Sequence, residues 1–284
     1  MTASDQTRPF VGEPTQPGNP HRLTRRQHIF PKRSIERFGD SGARVEVVRF
    51  VRSYRGTARN IARFRAKSDA DIFVASRVWD QRSENVSQRH VEAPFQFLVE
   101  RILAGEGRRW HHEQRYLSAF YALWHSRFEH AWNPEGDLQA NGIGAETRTK
   151  DEEEILERNG YLFMSNGKMP ARQVNGMRLQ LRADIIEAQL QDLKWGVWTS
   201  PEPAGDFLVP DYCSLRPIIP ITPRKILIAG MDDAVVGREE VAQVNLLSVM
   251  GAHQYVFARD YSACPIVPER SRPPFPIRAL GAAS

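Results

Sequence analysis

Apolar residues recur at steps of three and four along two stretches near the middle of the chain. Phe95, Leu98, Val99, Ile102 and Leu103 mark one stripe, with Gly105 placed to stop the helix. Pro94 marks either its start or a kink in a longer helix beginning near Ser83. Tyr116, Phe120, Leu123, Trp124 and Phe128 mark the second, predicted over about 112–132 and closed off by Pro134. The two stripes are expected to pack on each other as an antiparallel pair. A third long helix is predicted over 177–193 from Leu181, Ile185 and Leu190.

The flanking segments read as strands and turns. Val45, Val47, Val48, Phe50 and Val51 predict a strand entered through the turn around Gly39 and Gly42. The acidic run 151–154 suits a helix N-terminus, where the positive dipole end favours carboxylates, and Asn159-Gly160 suits its stop. Asn166-Gly167 predicts a hairpin between strands at 161–164 and 169–174. Further strands are predicted at 195–199, 207–209, 218–221 and 226–229, then a helix over 239–250 and a strand at 255–258. Prolines at 201, 203, 210, 217, 220 and 223 confine these strands to short or edge positions. The expected fold is α+β: a central bundle of three long helices packed with a mostly antiparallel sheet built largely from the C-terminal half. One domain is expected over 21–267, between a disordered, Pro-punctuated lead-in at 1–20 and a Pro/Arg-rich flexible tail at 268–284.

Composition adds a compartment. The 284 residues are 41% hydrophobic and 26% charged, enough apolar surface for a substantial core. Cys213 and Cys264 have no CxxC-type spacing, which excludes a disulfide framework and points to free thiols. No stretch reaches the ~18 apolar residues of a membrane span, and the polar N-terminus lacks the apolar run of a signal peptide. A soluble, cytoplasmic protein with no membrane partner is expected.

Charge is unevenly distributed. Between Arg22 and Lys67 lie 14 basic residues and only Glu36, Asp40 and Glu46, a local +11 within a chain of net +5. Such a field attracts phosphates, although a solvated face has the same composition. Arg25, Arg26, Lys32, Arg33, Arg52, Arg55, Arg59 and Arg63 are the candidate contacts to nucleic acid or another anionic partner. Arg49, Arg52, Arg55, Arg59 and Arg63 have helix-like spacing, but Gly56 and the β-branched approach argue against a continuous helix.

Candidate chemistry is sparse. Gln27-His28-Ile29-Phe30-Pro31 resembles the opening strand of HNH-type nucleases, in which a His activates water beside a metal. The nearest companion run, Asn245-Leu246-Leu247 with His253, lies almost a chain length away, and that separation counts against the reading. His111, His112, His125 and His130 cluster near one helix, but only His125 and Glu129 have the i, i+4 spacing that directs two ligands to one metal. Arg127 is expected at the edge of the core, paired with Glu84 or Glu100. Asp206 and Asp211 flank Phe207-Leu208-Val209-Pro210, as turn caps or as a general base. No phosphate-cradling Gly-rich loop, nucleophile elbow or zinc ribbon is present, and the cofactor is unknown from the sequence.

Several of these segments, taken in order, resemble a bacterial family known as domain of unknown function 4238. The matching pieces are Gln27 to Pro31 with Ile35 and Phe38, the Asn60 to Arg65 stretch, and Val78-Trp79-Asp80 through Glu84. They continue with Tyr121 to Trp124 and Arg127, Phe207 to Asp211, Pro220 to Pro223, and Asn245. Ile29 and Phe30 stand where that family more often has Tyr-Val. The resemblance covers roughly residues 25 to 260 and implies a single α+β domain without assigning an activity. It directs attention to His28, Asp211 and Asn245, polar groups in apolar surroundings that need hydrogen-bond partners if buried. Three functions are therefore carried forward: a module binding an anionic partner through residues 22–67, a metal-dependent hydrolase or nuclease using His28 with Asp211 or Asn245, and a protein-interaction component without catalysis.

Overall fold

A computed structural model describes residues 9–52, 58–106, 112–140 and 146–267. The N-terminal part contains β1 (Arg26–His28), α1 (Lys32–Glu36), β2 (Arg44–Arg52), β3 (Ala58–Lys67) and β4 (Val74–Ser76). Helices α2 (Gln81–Ser87), α3 (Ala93–Leu103) and α4 (Arg115–Trp132) follow, with a π turn over Gln88–Glu92 joining the first two. Next come β5 (Leu138–Gln139), α5 (Lys150–Arg158), β6 (Lys168–Met169) and α6 (Ala171–Leu190). The C-terminal part holds β7 (Trp195–Thr199), β8 (Val209–Pro210), β9 (Ile218–Thr222), β10 (Lys225–Ala229), β11 (Ala234–Val235), α7 (Arg238–Gly251) and β12 (Tyr255–Ala258).

The class is α+β, with two differences from the expected layout. Among the described residues only α4 (18 residues) and α6 (20 residues) are long helices. The stripe at 95–103 is an 11-residue helix set off from α2 by the π turn. Among the described residues the strands form two four-stranded sheets and two two-stranded ones, β1-β4 and β5-β6, rather than one sheet. The order β11-β7-β10-β9 is wholly C-terminal, whereas β3-β2-β12-β8 draws half its strands from the N-terminal basic region. Pro220 and Pro210 lie in β9 and β8, both edge strands, where a missing N–H costs no ladder bond. At Asn166-Gly167 both residues have positive φ (52° and 72°), as a type I′ turn requires. Only the Ser165–Lys168 bridge extends that turn, because Pro170 opens α6 where a second strand was expected.

One large core joins α3, α4, α6 and both sheets. Within 117–131 of α4 every residue except Ala119 and Glu129 is buried, so this helix is an axis of the fold rather than an amphipathic surface element. A second, smaller core lies on the opposite face of the β3-β2-β12-β8 sheet. Along β12, Tyr255 and Phe257 enter the large core while Val256 and Ala258 enter the small one, the two-residue period of a strand buried on both sides.

Residues 9–20, part of the expected lead-in, lie against this body. Phe10 N–H donates to Ala131 O (2.8 Å), Gly12 N–H to Ser76 O (2.7 Å) and Gln16 N–H to Glu154 Oε1 (2.8 Å). Beneath them Arg77 and Arg172 converge on Glu157 at 2.9 and 2.7 Å, and Arg172 also bonds Glu13. All three members of the Arg77–Glu157–Arg172 cluster are only 3% exposed, and their mutual pairing offsets the cost of burying charge, although Arg77 Nη1 is left without a partner among the described residues. Residues 1–8 and the tail at 268–284 lie outside the described residues.

Candidate functional site

The arginines that suggested a helical stripe stand on a β-hairpin. Strands β2 and β3 pair antiparallel from Arg44↔Lys67 to Arg52↔Ala58, with a register shift between Arg49 and Phe50. Alternation places Val45 and Val47 towards the large core and Arg63, Arg65 and Lys67 on the other face of β3. All three of these side chains are exposed, and β3 is the free edge of its sheet. Residues 44–67 hold eight basic side chains and one acid, Glu46, a net of +7. Arg63 pairs with Glu46 at 2.5 Å and lies over the Tyr261 ring, and Arg65 pairs with Asp40; the arginines keep 52% and 45% exposure. Arg52 and Arg59 belong to the paired strands, and Arg55 lies outside the described residues. Of the remaining candidates, Arg25 is exposed, Arg26 pairs with Asp71 (2.8 Å), Lys32 with Glu36 (3.8 Å) and Arg33 with Glu100.

His28 stands apart from the hairpin, in a cleft of about 550 Å³. Strand β1 delivers it: His28 pairs with Val74 in the ladder, and the preceding Gln27 is clamped by its side chain to Val78 N (2.8 Å) and Trp79 O (2.8 Å). His28 Nε2 lies 3.1 Å from Ser68 O, so Nε2–H donates to the carbonyl and Nδ1 is the acceptor nitrogen. Burial lowers the imidazole below its usual range and the charges of Arg127 and Lys32 add to this, against the Ser68 hydrogen bond. His28 is therefore neutral at pH 7.

The other wall comes from the π turn and α4. Pro94 has no N–H and its ring collides with a regular turn, so the widened turn just before it is its local consequence. That turn places Gln88 and Glu92 on the cleft, with Glu84 one turn earlier. Arg127 is 1% exposed, fully inside the core rather than at its edge. It pairs with Glu84 at 3.4 Å, as expected, and with Glu92 at 2.7 Å, while Glu100 takes Arg33 instead. Trp79 Nε1–H donates to Glu84 Oε2 at 2.6 Å, and the Trp79 ring lies under the Arg127 guanidinium. Burial raises the Glu84 carboxyl, with Arg127 and Trp79 opposing. Glu92 and Gln88 had no sequence signal beyond Pro94.

Asp211 and Asn245 are engaged elsewhere. Asp211 accepts from the backbone N–H groups of His253 (2.7 Å), Gln254 (2.7 Å) and Tyr255 (3.2 Å), fixing the turn into β12. Burial pushes its carboxyl up to about 7 against those donors. Asn245, on α7, accepts from Leu208 N–H and donates to Asp206 O and Pro265 O. Asp206 pairs with Arg259 at 2.7 Å. None of these residues lines the cleft of His28 or shares a bonding partner with it, so the structure does not join the three residues proposed for hydrolysis.

Among the described residues no group of three or more His, Cys, Asp or Glu side chains is placed to hold a metal. His125 lies 3.7 Å from Glu129, buried among Tyr121 and Tyr212. His130 Nδ1 faces its own helix at Ser126 O (2.9 Å), His112 is exposed, and His111 lies outside the described residues. No helix among the described residues is long and apolar enough to cross a membrane. Comparison of the chain with protein-family models, with curated proteins and with solved structures finds no match.

Proposed function

We propose that this protein binds nucleic acid through the β2–β3 hairpin, by contacts to the phosphate backbone. The observation that supports the reading is the +7 charge of residues 44–67, with Arg63, Arg65 and Lys67 in a row along an exposed sheet edge. Alternate residues of a strand stand about 6.5–7 Å apart, so such a row presents repeated cations along one line. Arg65 and Asp40 form a surface pair that contributes little to stability, whereas Arg63 is exposed but its partner Glu46 is largely buried; on either guanidinium a phosphate can take the place of the carboxylate. Contacts of this kind position a protein on nucleic acid without reading its sequence. The same charges keep the open edge of β3 from pairing with another chain. Kinship with the domain of unknown function 4238 family, and a cytoplasmic location, stand as proposals beside this one, carried by the sequence alone.

Fluorescence anisotropy with labelled single-stranded and duplex DNA at low salt tests the reading. The wild-type chain is expected to bind, and R63E/R65E/K67E is expected to lose binding while still folding, as judged by circular dichroism. Absence of wild-type binding to both DNA forms, or equal binding by the variant, overturns it.

A further inference from the structure

We propose that the cleft under the π turn binds a small organic cation bearing two or more N–H donors, such as an amidinium, guanidinium or primary ammonium, through Glu84, Glu92 and His28 Nδ1. The inference is independent of the nucleic-acid reading. It begins from an inventory of donors and acceptors. Glu84 uses Oε2 for Trp79 and Arg127, and Glu92 uses Oε1 for Arg127, which leaves Glu84 Oε1 and Glu92 Oε2 without a partner among the described residues. His28 spends its N–H on Ser68 and presents Nδ1 as an acceptor. Three acceptor atoms therefore line the cleft, open to donors from a ligand in place of water.

Charge points the same way. The floor holds two carboxyl groups, Glu84 and Glu92, against the single guanidinium of Arg127; burial raises Glu84, and a cation beside it favours its ionised form. At the mouth, Lys32 and Arg33 are already engaged with Glu36 and Glu100. A monocation completes the floor; an anion would meet two carboxylates at close range in a partly desolvated space. Arg127 adds a donor to the site. Its side chain is 1% exposed and lines the cleft, yet its Nε–H has no hydrogen-bond partner. A ligand that also carries an acceptor atom, or that brings a water, can satisfy this N–H. At about 550 Å³ the cleft is within the range of small-molecule sites.

Isothermal titration at low ionic strength with benzamidinium, and with benzoate as the equal-sized anion, tests the proposal. Benzamidinium is expected to bind one to one and saturably, and benzoate not to bind. Glu92→Gln removes one charge-assisted hydrogen bond and is expected to weaken benzamidinium binding by about tenfold or more. Should Glu92→Gln fail to fold, His28→Gln serves instead, with a smaller expected loss. R63E/R65E/K67E is expected to bind benzamidinium like the wild type, which separates this site from the hairpin. Absence of saturable benzamidinium binding, equal binding of benzoate, or unchanged affinity in both cleft variants overturns the proposal.

Discussion

Replacing Asn245 with alanine separates an architectural role from a catalytic one. The side chain is fully buried and spans three backbone groups: Leu208 N–H at 2.8 Å, Asp206 O at 2.9 Å and Pro265 O at 2.9 Å. Leu208 and Asp206 are themselves buried, so N245A leaves one donor and one acceptor beyond the reach of water, whereas Pro265 is only half-buried. At about 1–3 kcal/mol for each unsatisfied group, the expected loss is about 3–4 kcal/mol, a large share of a typical folding free energy of roughly 5–15 kcal/mol. With a urea m-value of about 3 kcal/mol/M the unfolding midpoint falls by about 1 M. Asn245→Asp keeps the acceptor for Leu208 but turns an oxygen towards two carbonyls, so it is expected to be at least as damaging. Urea titration followed by circular dichroism measures both. A midpoint shift of less than about 0.3 M for N245A at unchanged m refutes an anchoring role for the Asn245 bonds to Asp206 and Leu208.

Two further substitutions probe the packing around α4 and α6. Burial opposes ionisation of Glu129, but His125 at 3.7 Å and the two-pronged grip of Arg182 (2.8 and 3.0 Å) more than offset this and hold its carboxyl at about 2. A depressed carboxyl contributes stability above its unfolded pKa and loses it as pH falls from about 4.5 towards 2. Arg182→Gln is therefore expected to move the acid-unfolding midpoint to higher pH and to cost about 1–2 kcal/mol at pH 7, since Arg182 is a third exposed; an unmoved acid midpoint counts against the pairing. Gly176 faces α2 so closely that an alanine Cβ would meet Ser83 Oγ at 2.4 Å and Asp80 Oδ1 at 2.5 Å. Helix propensity alone favours Gly176→Ala by about 1 kcal/mol, yet overpacking is expected to make the variant less stable by about 1–3 kcal/mol in thermal or urea unfolding. A stabilised G176A contradicts this contact.

Periodicity revealed most of the local elements and little of how they meet. The stripes at 95–103 and 116–128 fall on α3 and α4, and the strands at 195–199, 226–229 and 255–258 fall on β7, β10 and β12 within a residue. Strand β3 escaped notice because one face carries Arg63, Arg65 and Lys67 and, over 60–67, only Ala66 is buried, so alternation is weak against an Arg-rich background. Helix α6 begins at Ala171, not at 177, since its first turn buries Arg172, Gln173 and Asn175, polar residues that hydrophobic patterning reads as surface. The same blindness hid the Arg77–Glu157–Arg172 cluster, because a buried charge is recognised by its partners and those are distant in sequence. Within the cleft, Gln27-His28 and the Arg127–Glu84 pair were legible, while Glu92 needed the π turn to reach Arg127.

The salt dependence of DNA binding bears most directly on the central claim. Anisotropy titrations of a labelled duplex of about 20 base pairs between about 50 and 200 mM salt yield the slope of log K against log salt, which changes by about 0.9 for each phosphate contact. If Arg63, Arg65 and Lys67 each hold a phosphate, R63Q/R65Q/K67Q flattens that slope by about 2.7 relative to the wild type. A wild-type slope that the triple variant leaves unchanged would contradict the hairpin as the binding surface.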